Sequence, residues 1–359
     1  MEQVPGLLDP LEVAHLRLRN RIVMAPMTRS RAGEGDVPTA ITVEYYRQRA
    51  EAGLIITEGT QPSPSGKGYC RTPGIHSPLQ VAAWKKVTHA VHQEDGHIFL
   101  QIMHVGRIAH PLNKDPDAET VAPSAIPARG QMFTDQQGMV DFVTPRSLTR
   151  SEIPTVIEEF RRATENAYEA GFDGVELHCA SGYLPVQFLS TGTNRRTDTY
   201  GGSVANRIRF PVEVLEAMAQ VNGAGRVGVR ICPGVVFNDV YDENPVETYG
   251  ALLNAINPMG LAYLHMIRSP SPYIDAFGLG RRHFDGPLIA NDGFDLASGQ
   301  HAVASGEADL ISYGRLFIGN PDLVTRFRQS APLNGFDRST LYTPGPRGYT
   351  DYPSLASSA

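Results

Sequence analysis

The chain has 359 residues, 41% of them hydrophobic, with 38 acidic against 32 basic side chains and a formal net charge of −6. That apolar share supports a large core and excludes disorder as the main state, and the acidic balance argues against a nucleic-acid or other polyanionic partner. Three cysteines without a CxxC pair (Cys70, Cys179, Cys232) exclude a disulfide scaffold, a cysteine zinc site and a four-cysteine iron–sulfur cluster. Lysine ends at Lys114, so the later half of the chain cannot supply the amine of a Schiff-base aldolase. No apolar run reaches the roughly 18 residues of a membrane span. The start, MEQVPGLLDPLEV, lacks the charged and apolar regions of an export signal, so the expectation is a cytoplasmic protein.

Taken in chain order, short β-rich runs alternate with helical patterns. The strand candidates are Arg21–Pro26, Leu54–Glu58, His97–Met103, Phe172–His178, Arg226–Ile231, Leu261–Ile267, Pro287–Asn291 and Ala308–Tyr313. Alternation of this kind signals βαβ units and a parallel sheet. The length suits two domains of about 150 residues or one barrel of about 250 residues with insertions. Eight such runs favour the second, a single (β/α)8 domain over 1–359. The clearest helix covers about 152–170, where Ile153, Val156, Ile157, Phe160, Ala163 and Ala167 recur at steps of three and four. Ser151 is its expected cap, Pro154 lies in its first turn, and Gly171 stops it. Between 107 and 149 the chain turns rich in Pro, Asp, Gln and Gly without a helical period. A connection of that length is expected to be functional. Within it Gln131–Pro145 reads as a hairpin, inserted after the third strand and placed over the C-terminal mouth where barrels build their sites. Only a Ser/Ala tail at 354–359 is of low complexity.

Strand parity locates the polar residues. On the fourth run Val175 and Leu177 share one face, while Glu176 and His178 share the other. The same count puts Gln101 and Arg230 on the faces opposite their apolar neighbours. With helices covering the apolar faces, Gln101, Glu176, His178 and Arg230 point into the barrel. Buried polar groups need partners or a ligand. The structural alternative is a buried Glu176–Arg230 ion pair with His178 as a solvated strand end. Asn291-Asp292-Gly293 ends the seventh run and Gly314-Arg315 the eighth, the usual phosphate position of such a barrel. No GxGxxG follows the first run, so a Rossmann site is excluded.

The segments NRIVMAPMTR (20–29), EYYRQRAEAGLIITEGTQ (44–61), GIHSPLQVAAWKKV (74–87), Gln101 with His104-Val-Gly-Arg107, GFDGVELH (171–178), GYL with QFLS (182–190), NRRTDTYGGSVANR (194–207) and GYTDYPSL (348–355) resemble the Old Yellow Enzyme family of FMN-dependent ene-reductases. The resemblance runs over about 7–355. It implies an eight-stranded (β/α)8 TIM barrel, non-covalent FMN, and NADPH or NADH as reductant. Hydride would pass through flavin N5 to the activated C=C of an α,β-unsaturated carbonyl or nitro compound. By position it places Pro26, Met27 and Thr28 against the isoalloxazine, with Gly59 as a small residue beside the ring. Gln101 and Arg230 fall on the pyrimidine edge, where a permanent cation suits the reduced ring. Gly293, Gly314 and Arg315 fall on the phosphate. Tyr183 matches the proton donor and His178 the carbonyl-gripping histidine, next to the flavin. Tyr69 and Tyr349 match tyrosines that line the substrate pocket.

There are departures. Relatives carry His-x-x-Asn or His-x-x-His at the carbonyl site, and this chain has His178-Cys-Ala-Ser181. Met103 stands where many relatives have an aromatic residue. The flavin half is therefore expected to be complete and the substrate half altered. The alternative is a flavin-binding barrel with specialised or weak ene-reductase activity. A metal-dependent hydrolase on the same fold would need several strand-end ligands, and only His178 qualifies, so no metal is expected. Iron–sulfur dienoyl reductases are excluded by the missing cysteines. The expected partner is a small-molecule substrate, with neither nucleic acid nor membrane, for a monomer or homodimer.

Overall fold

A computed structural model describes residues 4–355. Residues 1–3 of the N-terminal stretch and 356–359 of the Ser/Ala tail lie outside the described residues. Eight parallel strands close into a barrel in sequence order: β1 (Ile22–Met24), β2 (Leu54–Ile56), β3 (Ile98–Ile102), β4 (Gly174–Cys179), β5 (Val227–Ile231), β6 (Tyr263–Ile267), β7 (Leu288–Asn291) and β8 (Leu310–Tyr313). Each expected run contains its strand, shortened mostly by flanking residues that belong to turns; only β4 runs one residue further, to Cys179. The strands are short Val/Ile/Leu-rich runs because both faces are covered: helices pack outside and side chains fill the centre.

The long helix Ile153–Glu169 shows how the pattern becomes packing. Ile153, Val156, Phe160, Ala163 and Ala167 are buried and join the outer core with Val175 and Leu177 of β4. Burying a side chain of the size of Phe160 contributes roughly 2–3 kcal/mol. Ser151 is not the cap. The first turn begins after Glu152, whose carboxylate accepts from the Thr149 N–H and hydroxyl, while Ser151 Oγ meets only Thr149 Oγ1. A longer carboxylate closing the entry turn displaces the serine.

The barrel floor is a feature the periodicity did not disclose. An antiparallel hairpin, Leu11–Val13 with Leu16–Leu18, packs Val13, Leu16 and Leu18 against Val23, Phe99, Tyr263, Ile289 and Leu310. With the floor sealed by apolar side chains, polar groups are displaced to the opposite, C-terminal mouth. The 107–149 connection carries a second hairpin there, Gln131–Thr134 with Gly138–Asp141, and a short parallel pairing of Val121–Ala122 with Arg146–Ser147. Among the described residues no helix is long and apolar enough to cross a membrane.

Candidate active site

Two cavities open at the C-terminal mouth. The first, about 730 Å³, lies over the ends of β7, β8 and β1 and is lined by Pro26, Met27, Thr28, Arg230, Gly293, Gly314 and Arg315 among others. Gly293 has a positive φ of 83°, a conformation that suits glycine, and Gly314 leads into the short helix Arg315–Gly319. Arg315 Nη2 lies 2.9 Å from Asp292 Oδ1, and its side chain is largely exposed. The second cavity, about 760 Å³, shares Pro26, Thr28 and Arg230 with the first and adds Tyr69, Gln101, Met103, His178, Ser181 and Tyr183.

The inward face of the strands is a connected polar layer. In the register Gln101 sits opposite Glu176, and His178 opposite Arg230. Glu176 and Arg230 are not an ion pair. Gln101 Nε2 donates to Glu176 Oε1 (2.8 Å), and His265 Nδ1 lies 2.8 Å from Glu176 Oε2. The far nitrogen of His265 meets Ser312 Oγ at 2.8 Å, and Arg230 Nη2 donates to Asn291 Oδ1 at 2.7 Å. Within this layer, among the described residues, two buried side-chain nitrogens lack protein partners, Arg230 Nε and His178 Nδ1. Burial, with Arg230 and His265 next, pushes His178 well below the usual imidazole value, so it is neutral.

Tyr183 precedes the six-residue helix Leu184–Leu189, and its ring packs edge-on against His178 with centroids 4.9 Å apart. Its hydroxyl is 2.9 Å from that of Tyr69. Burial, and then Tyr69, pushes its phenol well above the usual tyrosine value. Ser181 holds a left-handed backbone (φ 57°), and its carbonyl accepts from Asn238 Nδ2 at 2.8 Å. Arg107, fully buried, donates to the carbonyls of Ile126, Pro127, Asn238 and Asp239 and so ties the 107–149 connection to the loop after β5. Met132, Phe133 and Met139 of the hairpin line the second cavity with Phe237 and Tyr342.

Two expected site residues lie elsewhere. Gly59 lines neither cavity. A Cβ there would come 2.5 Å from Met103 Sδ, so the glycine makes room for that thioether, which itself lines the second cavity. Tyr349 is wholly buried and stacked on Tyr45 with centroids 4.0 Å apart, between the guanidiniums of Arg29 and Arg31. It is a packing residue held beneath the mouth. The aromatic position at the cavity belongs to Tyr342, which lines both cavities with Arg338. The Pro- and Gly-rich run after Tyr342 was the available signal, because such runs mark loops at a barrel mouth. Phe237-Asn238 sits in the equally loop-like stretch after β5.

Residues 6–334 match the NADH:flavin oxidoreductase / NADH oxidase family. A 12-oxophytodienoate reductase 1 of Oryza sativa subsp. japonica is 46% identical, over 97% of this chain and 93% of that relative. Morphinone reductase in complex with tetrahydroNAD superposes with a TM-score of 0.94 at 45% identity, covering 98% of both chains. An old yellow enzyme homologue from Zymomonas mobilis also gives 0.94, at 40% identity over 98% of this chain and 100% of the other. The barrel, its polar mouth and these likenesses agree: the chain belongs to the NADH:flavin oxidoreductase family, among the Old Yellow Enzymes, and is an FMN-dependent ene-reductase with a nicotinamide reductant.

Proposed function

We propose that the first cavity holds non-covalent FMN and the second an α,β-unsaturated carbonyl or nitro compound, with Tyr183 as proton donor. The whole chain, 1–359, works as one domain, and its 107–149 insertion covers the substrate. The residues fit the cofactor. Arg230 Nε is buried without a partner at the seam of the two cavities, and Gln101, its Nε2 held by Glu176, has its carbonyl oxygen left for a donor. Glycines at 293 and 314 leave backbone N–H groups approachable, and Arg315 adds charge-assisted donors for a phosphate. Pro26, Met27 and Thr28 stand where the ring would lie. When bound, FMN supplies a ring that takes hydride from the nicotinamide and gives it to an activated alkene.

The chain's own residues supply the rest. His178, a neutral imidazole, donates to the substrate's carbonyl or nitro oxygen, beside the Ser181 hydroxyl, and so polarises the double bond. Tyr69 orients the Tyr183 hydroxyl, which stays protonated and delivers a proton to the α-carbon. Arg230, a permanent cation, favours the negative charge of the reduced ring. The placement of a buried phenol beside His178, in a cavity that shares Pro26, Thr28 and Arg230 with the phosphate-type cavity, carries this reading. The net charge of −6 supports a protein without nucleic-acid partners, and the reading is completed by a cytoplasmic monomer or homodimer, free of the membrane, that takes NADPH or NADH as reductant. The test is the visible spectrum of purified protein. FMN bands should be bleached by NADPH and restored by an enone, whereas a folded protein that cannot be reconstituted with FMN would overturn the assignment. The shorter side chain at Ser181 favours one second reading, specialised or weak turnover. Bleached enzyme that no enone reoxidises would select it.

A further inference from the structure

We propose that Glu176 is a positioning residue for the flavin: a fixed buried anion that opposes Arg230, holds down the reduction potential, and sets which face of the Gln101 amide meets the ring. The inference rests on FMN lying in the cavity where Gln101 and Arg230 converge.

Glu176 is wholly buried on the inward face of β4, two residues before His178. Both carboxylate oxygens are used, one by Gln101 Nε2 and one by His265 Nδ1. The amide nitrogen of Gln101 only donates. Burial pushes His265 below the usual imidazole value. Its ring is therefore neutral. Of the two acceptors that face the Ser312 hydroxyl, His265 Nε2 at 2.8 Å is nearer than the Ala290 carbonyl at 3.5 Å, which puts the imidazole proton on Nδ1, donating to Glu176. Two donors aimed at two oxygens describe a carboxylate. Because its amide nitrogen is pinned from below, Gln101 keeps its carbonyl oxygen for a donor above.

Arg230 is on the neighbouring strand, and its direct partner is neutral Asn291. Burial lowers the Arg230 value, and Glu176 is the foremost charge acting against that fall. The field at the seam of the cavities is thus the difference between a cation at the mouth and an anion one layer below. In a site of low dielectric neither is screened by water. Removing the anion leaves the cation unopposed, and reduced flavin, which carries negative charge, gains more than oxidised flavin.

Glu176→Gln isolates the charge. Its amide oxygen can still accept from Gln101, and its NH₂ can donate to His265 Nδ1 once the imidazole proton moves to Nε2 and Ser312 accepts. Apoprotein reconstituted with FMN is then titrated potentiometrically, and FMN affinity is read by fluorescence quenching. The ratio of affinities for reduced and oxidised FMN should rise about tenfold, which is an upward shift of about 30 mV for a two-electron couple. Affinity for oxidised FMN should change less than about threefold, because the hydrogen bonds survive. A ratio that moves less than about twofold in a variant that binds FMN stoichiometrically overturns the proposal. Wild-type protein that binds no FMN overturns the functional assignment instead. Should Glu176→Gln fail to fold, the reduced-minus-oxidised infrared spectrum of wild-type holoenzyme decides. A carboxylate band that shifts on ¹³C-glutamate labelling and persists in Glu58→Gln, which removes the other buried glutamate among the described residues, is expected, and its absence overturns the proposal.

Discussion

Replacing Tyr183 by phenylalanine removes one oxygen atom and separates the two half-reactions. The phenol is 7% exposed, so bulk water has poor access to stand in for it. General-acid groups contribute about 10²–10⁴-fold. The Tyr69 hydroxyl, 2.9 Å from that of Tyr183, remains in the cavity as a partial substitute, which places the expected loss toward the lower end, about 10²–10³-fold. Stability should fall by only about 1 kcal/mol, the net worth of one hydrogen bond. Stopped-flow absorbance resolves the outcome: reduction by NADPH unchanged within about twofold, reoxidation by 2-cyclohexenone slowed by the factor above. The pH profile follows from the same burial. Tyr183 is held protonated well past its ordinary value, and His178 is held neutral well below its own. Reoxidation of the wild type should therefore be flat from about pH 7 to 9, with rate lost only as the phenol deprotonates above that range. Equal slowing of both half-reactions, or a break near the ordinary imidazole value, would refute the assignment.

Arg230→Ala should reduce FMN retention and lower the flavin potential, because the reduced anion loses its counter-charge and Asn291 loses its partner; a potentiometric titration with no downward shift would contradict this. Ser181→Asn should fold at least as well as the parent, since asparagine tolerates a φ of 57° better than serine, and should lower half-saturation by 2-cyclohexenone through a longer donor; values within about twofold for both turnover and half-saturation would show that residue 181 does not set the grip. Tyr349→Phe removes a buried hydroxyl that has no partner, so thermal stability should stay within about 0.5 kcal/mol and turnover unchanged, while a large loss of enone binding would restore Tyr349 to the substrate site.

Barrel and polar layer were legible because both rest on a period of two. Counting along GFDGVELH puts Glu176 and His178 on one face, and closure of the sheet turns that face inward. The partners were not legible. Parity places Glu176 and Arg230 on the same side of the sheet, but only the register reveals that Glu176 reaches Gln101 and His265 while Arg230 reaches Asn291. His265 of β6, which no motif singled out, is the bridge between β4 and β8. The cap hairpin was readable from its turn residues, whereas the floor hairpin, three residues a side around Ala14, is too short to show alternation. Gly59 and Tyr349 went astray for a common reason. Position in a motif gives the backbone location, but Met103 fills the space in front of Gly59, and a pair of arginines holds Tyr349 below the mouth.

The division between strand and loop explains why the two halves of the site can differ so much in how far they follow the family pattern. Residues facing the proposed flavin, Gln101 and Arg230, are fixed by strand register and by partners on other barrel strands, Glu176 of β4 and Asn291 of β7, so moving one would require shifting the barrel itself. Beyond His178 of β4, residues facing the proposed substrate are set by local backbone conformation instead. Ser181, Gly182 and Asn238 all have positive φ, and a Cβ at Gly182 would lie 2.6 Å from the Phe237 carbonyl. The loop after β4 is therefore seated directly on the loop after β5. Arg107 then fastens that second loop to the cap through the carbonyls of Ile126, Pro127, Asn238 and Asp239, and the Asp239 carboxylate is held as well, by Arg107 at 3.7 Å and by Arg129 of the cap. A clamp whose members do not themselves line the substrate cavity holds its walls in place whatever side chains those walls carry. Exchange of Asn for Ser at 181, or of an aromatic residue for Met103, thus changes the lining without loosening the frame. The chemistry held by the strands is retained while the choice of alkene is free to vary.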